Sequence, residues 1–589
     1  MIPASEILAH IQNGAEYDHI IVKGDLDFSS HPSRNGNQKD AIIRINDSIV
    51  EGTLYMNGLD FNQSFDFKNT RFKGDIVCSG SHFHKEINFS GSQFYGSSFF
   101  GPSKFSQMAS FRNVSFNGIA DFSGSRFEGT ADFHMAKFNG PAYLERSIFS
   151  GSADFGDARF NSTASFDRSD FSATCSFEQS SFRGPVSLKG SQFDGQTRFG
   201  NSRFLHDADF SKAHFNDKAD FMLCQFLGGA DFGTTFFNGK AVFSRDEFDD
   251  IACFENASFG KDANFTLTYF KGQARFDYSK FAKRSLFWRS NFSDSACFRS
   301  AQFGLNDDYT GFKWSRFLQH ADFHGAQFYG VADISECIFE GNSEFSNVRF
   351  WDLASFWKTR FNRPLNLSNS EFAGDPNELE RRWGGVADFS FAEFLDNINF
   401  FNTQFSGNAK FDNTRFSGYV LNWPYIENSF KSDSATYLSL IKNFSDHGQY
   451  GEADDCYYQY RRLIQSETSW WQWSKYMDML AWLSCGYGVR SSYTFFSAIA
   501  ILTAFGILYS CRTEHAFLNK KRFTSRLLES LSFSLIILIS APSDMYPYGS
   551  KKYLRFMSQN KLLVIIERIS GWMILILLIN TLSRVMIRY

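Results

Sequence analysis

Large apolar residues recur along the first two-thirds of the chain with a step that alternates between five and six. Phe111, Phe116, Phe122, Phe127, Phe133 and Phe138 define a unit of eleven. The lattice runs back through Phe105, Phe100, Phe94, Phe89, Phe83, Phe72, Phe67 and Phe61, and forward without a slip to Phe292, Phe298 and Phe303. Leu144, Leu188 and Leu367 stand at lattice positions, so the slot asks for a large apolar group rather than for Phe chemistry. A helix cannot absorb this step, because its faces recur every 3.6 residues or so. Short extended segments joined by regular corners can.

Each unit reads approximately A-D-F-x-x-S-x-F-x-G-x, as in the stretch from Ala120 to Gly129. Ala two residues before the first Phe (Ala109, Ala131, Ala153, Ala208, Ala219, Ala230) gives each segment one small and one large inward side chain. Gly two residues after the second Phe (Gly118, Gly129, Gly140, Gly151, Gly184, Gly195) is expected to supply the positive φ of a tight corner. The Asp and Ser of the unit follow the same period, which marks them as scaffold and not as acid–base pairs.

From about Val50 to Gly418 this repeat resembles the pentapeptide-repeat family. The resemblance implies an all-β, right-handed quadrilateral β-helix, here with alternating fives and sixes in place of pure fives. With about 22 residues per coil the tract makes roughly 16 coils, a rod of roughly 75–80 Å at a strand spacing of about 4.8 Å. Residues 1–49 then form an N-terminal cap. Two interruptions are visible. Asn306–Tyr309 lies in a three-residue insertion between Phe303 and Phe312, and Asp375–Gly385 leaves the coil as a loop although Glu378 and Trp383 keep lattice count.

The Phe lattice stops at Phe416 and a helical linker, residues 419–490, follows. Asp433-Ser434 can cap a helix that ends at Asp446-His447-Gly448. A second helix is expected from Glu452 to Gln465. A third, from about Ser469 to Leu483, carries Trp470, Trp471, Trp473 and Trp482, a density of indole that suits a helix lying in a membrane interface. Ser491–Cys511 has no charge over about 21 residues, long enough to span a bilayer. Leu527–Ala541 is apolar but short, as for a re-entrant helix shielded by protein. Leu562–Leu582 is a second span, interrupted by Glu567-Arg568.

From about Ser434 to the end, on Cys456–Arg462, Cys485–Arg490, Ser532–Leu535 and Ile566–Trp572, the chain resembles the two-helix pore-loop ion-channel region that follows the repeats in some bacterial proteins, with residues 491–589 as the transmembrane domain. The resemblance places a filter at Ser540, Ala541, Pro542, Ser543 and Asp544. No Gly is present there to permit the backbone of a potassium filter, so a pore would select weakly, with Asp544 as an acidic ring. Glu567 and Asn580, polar inside the last span, are pore-lining or gate candidates. Gly486-Tyr487-Gly488 mimics a potassium filter but precedes the first span, and reads as a structural turn. A channel of this kind implies a homo-oligomer, a tetramer above all.

Charge separates the two parts. Residues 488–589 carry thirteen Lys and Arg against four acids, a net +9, which leaves −13 on the remainder of a chain whose total is −4. A two-span topology with the repeats in the cytoplasm puts most of the basic residues between the spans outside, against the positive-inside tendency. The absence of an export signal before the repeats still favours that orientation, in an inner membrane with multiple passes. The 73 Phe among 589 residues, with 43 Gly and only 10 Pro, exclude disorder and collagen. Nine Cys without any C-x-x-C suit buried free thiols, with Cys175, Cys224 and Cys337 in small-residue slots of the repeat.

No nucleotide-binding, hydrolase or metal-spaced motif occurs, so neither an enzyme nor a cofactor is expected. His82/His84 and His320/His324 read as rod-surface pairs and not as ligands. Three functions remain: a membrane ion channel or channel-like protein with a cytosolic sensor, a membrane-anchored non-conducting scaffold, and a DNA-mimicking topoisomerase binder. The lipid bilayer is a partner in the first two. A protein or ligand on the solenoid is a further one, and nucleic acid is not expected.

Overall fold

A computed structural model of the chain describes residues 1–10, 14–30, 42–306, 308–373, 385–512, 523–539 and 550–587. It divides into two compact units, Met1–Asp433 and Ser434–Tyr589.

The first unit is a parallel β-solenoid of about 18 turns. Its strands, mostly of two residues, form four parallel sheets of 19, 18, 16 and 19 strands among the described residues. Each strand pairs with its counterpart one coil on: Phe72 with Phe94, Phe94 with Phe116, Ala120 with Ala142. The ladder starts earlier than the Phe lattice suggests, for Ile2–Pro3 already pairs with Val22–Lys23. Helix α1 (Ala4–His10) buries Ile7 and Leu8 at that end. The far end also runs further. Phe430 stacks on Phe411 at 4.7 Å, and Trp423, fully buried, meets Phe430 edge-on at 5.1 Å.

The core consists of Phe columns. Phe127 and Phe149 are parallel at 4.8 Å, Phe138 and Phe160 at 4.6 Å, and Phe210 and Phe232 at 4.7 Å. Leu144, Leu188 and Leu367 are buried in the same columns, as their lattice positions require. Each such ring contributes roughly 1.5–3 kcal/mol by leaving water, and the coil spacing itself brings neighbouring rings into contact. A stack of this kind is stabilised mainly between nearest neighbours.

Glycine acts differently from the sequence expectation. Positive φ falls two residues after the first Phe of the unit, at Asn113, Met135, Arg146, Asp157 and Arg168 as well as at Gly124 and Gly190. Gly129, Gly140 and Gly151 are not among these residues. They are glycine because the corner presses on the preceding coil: a Cβ on Gly140 would lie 2.3 Å from the Gly118 carbonyl oxygen, and one on Gly129 would lie 2.4 Å from Gln107 backbone. The constraint is close approach of backbones and not handedness.

The repeat Asp and Ser hold the corners. Asp121 accepts from the Ser123 N–H at 2.8 Å, and Asp154 from that of Gly156 at 2.8 Å. Ser147 Oγ donates to the Phe122 carbonyl at 2.8 Å, and Ser191 Oγ to that of Phe166 at 2.7 Å. Cys224 and Cys337 occupy this hydroxyl column, each thiol 3.0 Å from the carbonyl oxygen of Phe199 or Phe312. Cys175 is buried in the small-residue slot, pairing with Ala153 and Thr197.

Asp246 also stands in the hydroxyl column and is fully buried. Burial pushes its carboxyl well above the usual carboxylate range, against a 2.9 Å bond from the Cys224 N–H that favours the charged form. By the column's rule its hydrogen-bond acceptor would be the Phe221 carbonyl, to which a protonated carboxyl can donate and a carboxylate cannot.

Both interruptions leave the columns intact. Phe287 stacks on Phe312 at 4.7 Å across the longer coil, and Tyr309 donates to Asp333 at 2.6 Å while accepting from Trp288 Nε1 at 3.3 Å. At the second interruption Ala354 pairs with Ala387 and Phe356 stacks on Phe389 at 4.8 Å. Residues 374–384, which hold Glu378 and Trp383, lie outside the described residues.

Two predictions follow from the corner and column geometry. Gly140→Ala should lower the stability of the solenoid by about 1–3 kcal/mol through overpacking, whereas Gly124→Asn should change it by less than about 1 kcal/mol; urea midpoints of the two variants measure the difference. For Asp246, a raised folded pKa means that the folded state holds a proton the unfolded chain has released. Its contribution is therefore favourable below the ordinary Asp range and is lost as pH rises toward neutrality. Asp246→Ser should flatten that decline in a pH series of urea melts and raise stability at neutral pH by about 1–3 kcal/mol.

Candidate functional site

The second unit is helical. It contains α2 (Ser434–Asp446), α3 (Tyr450–Glu467), α4 (Trp473–Cys485), α5 (Ser491–Arg512), α6 (Phe523–Leu538), α7 (Ser550–Gln559) and α8 (Lys561–Ile587). All of these except α7 match helices expected from the sequence. Helix α7 has no separate signal, being short and rich in basic residues.

Helices α5 and α8 are long and apolar enough to cross a membrane, with mean hydropathies of 1.8 and 2.3. Only 22% of the apolar stretch of α5 and 17% of that of α8 is buried within the protein. Phe495, Phe496 and Ile507 on α5, and Leu562, Ile569, Trp572, Ile576 and Ile579 on α8, are exposed. The apolar part of α6, Leu527–Leu538, is shorter.

Small residues set how closely these helices pack. A Cβ on Gly506 of α5 would meet the Leu531 side chain at 2.6 Å, and one on Gly571 of α8 would meet the Leu538 carbonyl oxygen at 2.1 Å. Close packing at Gly is the pattern of helix contacts in lipid. Tyr509, Phe533, Ile537, Phe556 and Val564 form the buried cluster between them.

Glu567 lies inside this contact and is fully buried. Tyr509 OH of α5 donates to its Oε2 at 2.6 Å, and Ser534 Oγ of α6 donates to its Oε1. Ser534 Oγ is also 3.1 Å from the Leu502 carbonyl oxygen. One carboxyl group thus ties three helices together, and its two oxygens each have a hydroxyl partner. Arg512 donates to Asn560 Oδ1 at 3.2 Å and links the end of α5 to the residue that precedes α8. Asn580, by contrast, is exposed on α8. Ser540, Ala541, Pro542, Ser543 and Asp544 lie outside the described residues.

The Trp residues divide into two groups. Trp470, Trp471 and Trp473 are exposed, Trp471 by 96%, and Lys475 sits 4.2 Å from the Trp470 ring. Tyr476, Met477, Leu480 and Leu483 extend this exposed apolar stripe along α4. Trp482 turns inward instead: its Nε1 donates to Tyr458 OH at 2.8 Å and Arg462 stacks on its ring at 4.1 Å.

The Gly486-Tyr487-Gly488 segment is a turn, as its position before the first span indicates. All three residues have positive φ (52°, 59° and 81°). Arg461 lies 5.2 Å over the Tyr487 ring and Tyr458 meets it at 5.9 Å, so the motif joins α3 to the start of α5. Arg490 pairs with Asp455 at 2.9 Å. Burial pushes that carboxyl up, and Arg490 opposes the shift.

The fold thus defines a parallel β-solenoid followed by a helical unit with two helices able to span a membrane. Residues 89–135, 135–181, 177–222 and 323–371 match the family model for pentapeptide repeats, described as nine copies. These segments of the solenoid are pentapeptide repeats. No curated protein and no solved structure matches the chain.

Because Tyr509 and Ser534 serve the same carboxyl group, their removal should not be additive. Tyr509→Phe and Ser534→Ala should each lower the melting temperature of the detergent-solubilised protein, by the equivalent of about 1 kcal/mol. Together they should cost clearly less or more than the sum, and in Glu567→Gln both effects should shrink.

Proposed function

We propose that the protein is a membrane-embedded pentapeptide-repeat scaffold whose helical unit forms a weakly selective ion pathway in a homo-oligomer, a tetramer in the simplest case. The observation that carries the membrane part is the exposed apolar surface of α5 and α8. A soluble unit would leave that surface in water, at a cost proportional to its area. A helix of the length of α5 rises roughly 33 Å, enough for a hydrocarbon core of about 30 Å. The exposed stripe of α4, with Trp470, Trp471 and Trp473, then lies along the interface.

The conducting part is supported by α6. Its apolar stretch is too short to cross, and Gly506 and Gly571 let α5 and α8 pack closely against it. We read this as a helix dipping between two spans, with Ser540–Asp544 following it in the chain. Asp544 would supply an acidic ring. Glu567 would brace the three helices from within each protomer, and Asn580 would face a neighbour or the pathway. We read the four-sheet solenoid as a right-handed quadrilateral β-helix held in the cytoplasm, where a protein or ligand binding it could bias the pathway only by differing in affinity between open and closed states.

A non-conducting anchored scaffold is the second reading, favoured by the pairing of Glu567 inside the protomer, where it is not presented to an ion. A DNA-mimicking surface fits less well, because acidic side chains of the solenoid meet basic ones one coil away, as in Arg299–Asp277 at 2.8 Å and Arg349–Glu371 at 2.6 Å.

Purified full-length protein in liposomes separates the readings. The expected result is resistance to alkaline extraction, together with cation flux that Asp544→Asn reduces. Extraction by alkali overturns the membrane reading. Membrane-integral protein without flux under any ionic gradient leaves the anchored scaffold.

A further inference from the structure

Along one face of the solenoid the column Phe61, Phe83, Phe105 is buried, with centroids 5.3 and 5.2 Å apart. The residues on either side of each Phe point outward. His82 and His84 flank Phe83 in this way, and Asp60 is the register partner of His82 one coil earlier. The two imidazoles lie 3.6 Å apart. His82 Nδ1 is 3.3 Å, and His84 Nε2 3.5 Å, from the same oxygen, Oδ1 of Asp60. All three donor atoms fall within 4.8 Å of one another.

Those separations suit one ion. Zinc bonds of about 2.0–2.1 Å in a tetrahedral arrangement place donors about 3.3 Å apart. The far side of His82 is also built for it. Its Nε2 is 2.9 Å from Ser106 Oγ, and Ser106 directs its own proton to Glu128 Oε2 at 3.0 Å. Ser106 therefore accepts from the His82 Nε2–H, which leaves the Nδ1 lone pair facing Asp60. A hydroxyl or carboxylate behind the non-ligating nitrogen is the usual outer support of a metal-binding histidine. Glu128 is in turn held by Lys104 at 3.1 Å, which partly neutralises that lysine's charge near the site.

We propose that Asp60, His82 and His84 bind a divalent transition-metal ion of the zinc type, with Ser106 and Glu128 orienting His82 and water completing the coordination. Two imidazoles and one carboxylate favour zinc, cobalt, nickel or copper over calcium and magnesium, which take oxygen ligands. The ion would bridge two consecutive coils. The pair His320/His324 lacks this arrangement: His320 Nδ1 lies 3.1 Å from the Asn342 carbonyl and His324 Nδ1 2.8 Å from Ser346 Oγ, so each ring has its own separate partner.

The test is metal binding by the chelator-treated full-length protein in detergent, read by calorimetry with Zn²⁺ and by the visible absorption of Co²⁺. Wild type should take up one equivalent and show the intense bands of four-coordinate Co²⁺. Asp60→Asn and His84→Gln should lose the bands, and Ser106→Ala should weaken binding about tenfold or more. The double variant His320→Gln/His324→Gln should bind as wild type does. Far-UV circular dichroism unchanged in all four variants keeps the comparison valid, since every substituted side chain is outside the Phe columns. Absence of stoichiometric uptake by wild type overturns the proposal, as does wild-type binding by Asp60→Asn and His84→Gln.

Discussion

Everything in the first unit depends on one distance, the spacing between coils set by parallel backbone hydrogen bonds. At that spacing each residue lies directly over its counterpart one coil earlier, and each must tolerate contact with something of the same kind. Phenylalanine meets this condition on the inside, because flat rings stack at about the strand repeat. Serine meets it at the corners, because one hydroxyl can donate to a carbonyl of the coil before and accept from an N–H of that same coil, as Ser169 does with Leu144 and Ser147. Glycine meets it where two corners press backbone on backbone. The composition that looks anomalous in the linear sequence is the consequence of this single geometric demand.

The same demand creates chemistry by stacking what the sequence keeps apart. Asp60 and His82 are a coil apart in the chain and in van der Waals reach in the fold. Asp246 is an ordinary acid by composition and a misfit in a column of hydroxyls by position, buried with one carboxyl oxygen that would need a proton to be satisfied. Charged surface residues find partners across the same gap, which divides a net-negative unit into many local pairs of modest strength.

The helical unit obeys a different rule. Where α5, α6 and α8 meet, polar groups are few and each is costly to leave unpaired, so one carboxyl, Glu567, collects a hydroxyl from each of two neighbouring helices and fixes their mutual position. Glycines again mark close approach, at Gly506 and Gly571, but now between helices rather than coils. Large apolar side chains remain exposed along α5, α8 and one stripe of α4.

The repeat, its 5/6 step, the columns of Phe and their Leu substitutes, the turn at Gly486–Gly488 and the two apolar helices are all legible along the chain. These are periodic or local properties, and periodicity survives in one dimension. It misassigned the corner glycines, since a one-dimensional pattern cannot distinguish a residue that needs a positive φ from one that lacks room for a Cβ. It also placed the ends of the solenoid inside their true limits, because Ile2, Trp423 and Phe430 break the spacing while keeping the stacking. Packing in three dimensions is what turns Trp482 inward while Trp470, Trp471 and Trp473 stay out, pairs Glu567 with Tyr509 and Ser534, and brings Asp60 of the preceding coil against two histidines that read as a surface pair. Each of these depends on which residues meet across a gap of many positions, and that is set by packing rather than by order along the chain.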